Sequence, residues 1–70
     1  MSSECKGKDS WPELVGQQGK VAEEIIEREN PLVNAIIVDE GSSVPLDYRC
    51  DRVWVWVNKS GTVISTPRIG

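Results

Sequence analysis

The sequence predicts an α+β fold, one helix with a small sheet, and three observations carry that expectation. The apolar residues Val21, Ala22, Ile25 and Ile26 recur at helical spacing. Residues 52–57 alternate strictly, with Val53, Val55 and Val57 on one face and Arg52, Trp54 and Trp56 on the other, as in a half-buried strand. The β-branched run Ile36, Ile37 and Val38 is too short for a further helix and suits a buried strand.

Taken in chain order, residues 10–16 read as a capped first turn. Ser10 is placed to cap it, Pro12 is tolerated because its missing donor is not needed there, and Glu13 completes a capping box. Gly16 stops the turn. A helix is expected over residues 18–30, its apolar stripe toward the core and Glu23, Glu24, Glu27 and Glu29 toward water. Glu24 and Arg28 add an ion pair four residues apart, worth about 0.2–0.5 kcal/mol. Asn30 before Pro31 ends the helix. Strands follow over residues 34–39 and 52–57, the second with its valines in the core. Asn58, Lys59, Ser60 and Gly61 then form a reverse turn, with Gly61 left-handed and a short antiparallel strand through Thr62, Val63 and Ile64. Trp11 and Trp56 read as packing residues.

Residues 40–51 are too long for a tight hairpin and too structured in composition for a flexible linker. Gly41, Ser42 and Ser43 let the chain leave the first strand, whereas Val44 and Pro45 favour extended backbone. Leu46 follows, then Asp47, Tyr48 and Arg49, with Cys50 at the far end. The pattern is an apolar side chain presented on a tethered loop, and any functional site is expected here.

Composition limits the rest. Seventy residues form one domain, 1–70, and such a chain buries only about 60% of its unfolded surface, so a staple is expected. Cys5 and Cys50 are the only cysteines and lack the paired CxxC spacing of zinc or redox motifs. One bridge between them closes a loop of about 45 residues, worth on the order of 4 kcal/mol in the loop-entropy model. A bridge points to a secreted or vacuolar location. The net charge is −3, and the eight Lys and Arg are scattered from Lys6 to Arg68, so no nucleic-acid partner is expected. The longest apolar run, residues 35–38, cannot span a bilayer, so no membrane partner is expected either. Met1 reads as an initiator residue. With no histidine and no glycine-rich phosphate loop, no enzyme, catalytic residue, cofactor or metal site is expected.

Four motifs add a resemblance. Trp11-Pro12-Glu13-Leu14-Val15-Gly16, Ile26-Glu27-Arg28-Glu29-Asn30-Pro31, Tyr48-Arg49-Cys50-Asp51-Arg52-Val53 and Pro67-Arg68-Ile69-Gly70 together resemble the potato inhibitor I family, in particular its plant members with one disulfide. The resemblance implies a helix packed on a small mixed parallel/antiparallel sheet, its two central strands parallel, with a long exposed protease-binding loop between them. It implies serine proteases as partners and Leu46–Asp47 as the reactive bond. Ser43, Val44 and Pro45 would precede that bond in the protease cleft, and Tyr48 and Arg49 would lie on the leaving side. Leu46 suits the large apolar pockets of chymotrypsin-like and subtilisin-like enzymes, with elastase a further candidate and trypsin not the primary target. A monomer is expected.

The resemblance also assigns loop support. Arg52 is similar to the first of two scaffold arginines that brace the family's loop, with Asp47 and Gly70 as its expected partners. Trp54 stands where the second arginine would be, and Pro45 where a threonine is common. The expectation is that the indole of Trp54 packs beneath Pro45, an apolar support in place of a polar one. Two other readings stay open: a storage or stress protein using the same fold for other contacts, and a disulfide-exchange protein, which lacks a neighbouring thiol.

Overall fold

The computed structural model describes residues 5–70, so the expectation for Met1 lies outside the described residues. A single 3₁₀ turn, Pro12–Leu14, precedes helix α1 (Gly19–Glu29), and strands β1 (Asn34–Asp39), β2 (Arg52–Val57) and β3 (Arg68–Ile69) follow. The strand order is β1-β2-β3. β1 and β2 run parallel in the register Asn34↔Arg52 to Asp39↔Val57, and β3 pairs antiparallel with β2 through Val53↔Ile69 and Trp54↔Arg68. The helix on a mixed sheet is therefore as expected.

Burial explains the arrangement. Ala22 and Ile26 of α1 are buried with Ala35 of β1 and with Val53, Val55 and Val57 of β2. Each valine taken fully out of water contributes about 1.5–3 kcal/mol, so the alternation in β2 dictates which face meets the helix. Trp11, Leu14, Val33, Val63 and Ile69 close the core around them. Gly19 allows the close approach, because a Cβ there would stand 2.9 Å from Val57 Cγ1. The Asn58–Gly61 turn forms with Gly61 at φ +80°, its N–H donating to the Asn58 carbonyl at 2.9 Å.

Four local expectations are corrected. The capping box does not form: Trp11 precedes the 3₁₀ turn, no side chain caps it, and Glu13 pairs with Lys8 instead. Burial positions this segment, since the Trp11 indole is fully enclosed and its Nε1–H donates to Glu29 Oε1 at 2.9 Å. The run in β1 is not buried as a block. Ile36 and Ile37 are 40% and 37% exposed, because β1 is an edge strand with the helix on one face only. Thr62, Val63 and Ile64 form no strand. They make two isolated bridges, Gln18↔Thr62 and Val57↔Val63, and the ladder to β2 is made by Arg68–Ile69. Glu24 and Arg28 form no ion pair among the described residues, consistent with the small worth of a solvated pair.

Candidate functional site

Parallel pairing of β1 and β2 forces residues 40–51 to travel back along the length of both strands. The loop leaves through a turn in which the Ser42 N–H donates to the Asp39 carbonyl at 3.0 Å and Gly41 takes φ +90°. Residues 42–49 then belong to no helix, strand or turn. Ser43, Pro45, Asp47 and Arg49 are exposed and Val44 is half-buried. Leu46 is 100% exposed, an unusual state for a leucine, and Tyr48 is 67% exposed.

Bonds to the scaffold hold the returning limb. Arg52, only 8% exposed at the start of β2, donates from Nη2 to the Asp47 carbonyl at 2.6 Å and from Nε to the Gly70 backbone oxygen at 2.7 Å. A longer contact of 3.4 Å joins Nη2 to Asp47 Oδ1. The Gly70 N–H returns a bond to the Arg52 carbonyl at 2.9 Å, so β2 and the segment after β3 carry the brace together. The guanidinium lies 4.6 Å from the centroid of the Trp54 ring. Trp54 thus offers a π-face to the Arg52 cation.

Sequence reading missed a second tie. Arg49 donates bidentately to Asp51, Nε to Oδ1 at 2.9 Å and Nη2 to Oδ2 at 2.8 Å, enclosing Cys50 between them. The Asp51 carbonyl also accepts from the Asn34 N–H at 2.9 Å, linking the loop's end to the start of β1. The hydrogen bond from Arg49 holds the Asp51 carboxyl below its ordinary range, and the same bond raises the Arg49 guanidinium. Opposite charges two residues apart were the available signal.

Cys5 and Cys50 form the disulfide, with a Cα–Cα distance of 5.2 Å. The Tyr48 hydroxyl lies 3.4 Å from Cys5 Sγ. The N-terminal limb carrying Cys5 is anchored in turn by Asn30, whose Nδ2 donates to the Lys6 and Lys8 carbonyls at 2.9 and 3.0 Å. No cluster of metal-ligating side chains occurs among the described residues, and no described helix is long and apolar enough to cross a membrane. The arrangement offers an apolar side chain to a partner while its backbone is braced from below.

Comparison with known proteins places this geometry. Residues 3–70 match the model of the potato inhibitor I family. An "Inhibitor of trypsin and hageman factor" from Cucurbita maxima is 60% identical over 68 residues, covering 97% of this chain and 100% of the relative. A "Trypsin/subtilisin inhibitor" from Amaranthus caudatus is 56% identical over 66 residues, covering 94% and 96%. The crystal structure of a bitter gourd trypsin inhibitor superposes with a TM-score of 0.94 at 54% identity, covering 97% of this chain and all of that one.

Proposed function

The chain belongs to the potato inhibitor I family and is a protease inhibitor of that type, not an enzyme, and from that premise we propose that it blocks serine proteases by offering the Leu46–Asp47 bond as bait. The observation that carries this reading is the fully exposed Leu46 side chain beside Asp47, whose carbonyl Arg52 holds at 2.6 Å.

A loop already in its bound shape loses little conformational freedom on docking, so more of its contact energy appears as affinity. Ser43, Val44 and Pro45 pair with the protease as an added strand, and Tyr48 and Arg49 occupy the leaving side. When the protease serine attacks the Leu46 carbonyl, the amine of Asp47 stays close, because Arg52 grips that residue. Its effective molarity favours remaking the bond over hydrolysis.

Target class follows from Leu46. Full burial of that side chain contributes about 1.5–3 kcal/mol in an apolar pocket, whereas it offers no cation to the carboxylate of a trypsin pocket. We read the chain as a monomeric inhibitor of chymotrypsin-like and subtilisin-like enzymes, with elastase-type enzymes next. Titration against subtilisin, chymotrypsin and trypsin, followed by mass spectrometry of the slow product, tests target and bond together. Tight inhibition of the first two with scission only between Leu46 and Asp47 is expected. Rapid cutting at several sites, or trypsin as the preferred target, overturns the reading.

A further inference from the structure

We propose that Asn58 is an acceptor for N-linked glycosylation, at the end of the sheet away from the Arg52 brace. Asn58-Lys59-Ser60 has the Asn-x-Ser pattern with a non-proline middle residue, which marks an acceptor amide in a secreted chain.

The turn engages Asn58 through every polar atom but one. Its N–H donates to the Thr62 carbonyl at 3.0 Å, and its own carbonyl accepts from the Gly61 N–H at 2.9 Å. Its Oδ1 accepts from the Ser60 and Thr62 N–H groups at 2.9 and 3.0 Å. Nδ2 makes no hydrogen bond among the described residues, and it is not sealed from solvent, since no buried side-chain nitrogen or oxygen lacks a partner. The fold therefore needs the Asn58 side chain as an acceptor only. A carboxylate would close the same turn, so the fold alone gives no reason for an amide.

Attachment at Nδ2 preserves all four bonds. The donor class is a lipid-linked oligosaccharyl diphosphate. The bond from the sugar anomeric carbon to the diphosphate oxygen breaks, and its electron pair leaves with the lipid diphosphate. A carbon–nitrogen bond forms at Nδ2, which releases one proton, and nothing is oxidised or reduced. Lys59 and Ser60 are exposed beside the acceptor, and Asp39 and Glu40 line the same surface depression, so the glycan meets polar neighbours.

The register puts Asn58 just beyond Val57, at the opposite end of β2 from Arg52. At about 3.3 Å per residue that is about 20 Å from the brace, far enough to leave the docking of Leu46 unhindered. The modification is independent of the inhibitory reading, since mass reports one and titration the other. It also agrees with the oxidising compartment that the Cys5–Cys50 bridge calls for.

The test is secretion of the full chain, behind a cleavable leader, from cultured mammalian cells. We expect a mass increase of one core glycan, removed by peptide N-glycosidase with conversion of the acceptor to aspartate. Ser60→Ala abolishes the increase. Asn58→Asp also abolishes it, yet keeps the thermal midpoint and inhibition constant of the bare chain. A secreted, disulfide-bonded wild-type chain with unmodified Asn58 overturns the proposal, as does a glycan that persists on the Ser60→Ala variant.

Discussion

Replacing Arg52 by alanine removes the side-chain bonds that tie Asp47 of the loop and Gly70 to the start of β2. The contacts to the Asp47 carbonyl at 2.6 Å and to Gly70 at 2.7 Å are charge-assisted, and such bonds contribute about 1.5–3 kcal/mol each. The 3.4 Å contact with the Asp47 carboxylate, whose side chain is 55% exposed, adds less than about 1 kcal/mol. Stacking on Trp54 adds about 0.5–1 kcal/mol. These terms share one guanidinium and do not simply add, and the Asp47 end faces solvent, so the lower bounds apply. A loss of about 3 kcal/mol is expected, which lowers the population of the braced loop by about two decades. Arg52→Lys keeps the charge but not the fork and should fall between, and Trp54→Ala should cost only several-fold, about 0.5–1 kcal/mol. The assay pairs the subtilisin inhibition constant with the rate of Leu46–Asp47 scission, and urea unfolding separates loop effects from global ones. A folded Arg52→Ala chain with both kinetic values within about threefold of wild type, well under 1 kcal/mol, would refute the bracing argument.

Leu46→Lys should create tight trypsin inhibition, and Leu46→Gly should weaken binding to chymotrypsin by about 10- to 150-fold, the worth of one buried leucine. No trypsin gain in a direct titration would show that the bond is misassigned. Replacing both Cys5 and Cys50 by serine should lower stability by on the order of 4 kcal/mol, read as a shift in urea midpoint, and an unchanged midpoint would contradict the staple. Asp51 sets the acid limit of the Arg49 tie. Its carboxyl is held low by Arg49, so its contribution is complete above the unfolded value near pH ~4 and disappears as pH falls through the lower folded value. An NMR titration of that carboxyl should show this depression, and Arg49→Ala should abolish it. A wild-type titration at or above the unfolded value would mean that the pair does not form in solution.

Periodic burial made most of the scaffold legible. Val53, Val55 and Val57 announce their face through period-two alternation, and Ala22 and Ile26 through helical spacing. Ile36 and Ile37 misled because a β-branched run looks the same in an edge strand as in a central one. Strand β3 was invisible: two residues carry no period, and only their pairing with Trp54 and Val53 makes them a strand. Leu46 stood out as an apolar residue between a stiff Val44–Pro45 pair and a cysteine, and the motif resemblance supplied the rest. Arg52 and Gly70 lie 18 residues apart, and no local rule joins them. Strict alternation puts Trp54 on the same face of β2 as Arg52, but only the fold shows the guanidinium over its ring.

The position of the disulfide has a consequence for a chain severed between Leu46 and Asp47. Residues 1–46 contain Cys5 and β1, and residues 47–70 contain Cys50, β2 and β3. The two pieces remain covalently one molecule and share a six-row strand interface. Dilution cannot part them, so the balance between whole and nicked forms is independent of concentration, and a nicked sample migrates as a single species until a reductant is added.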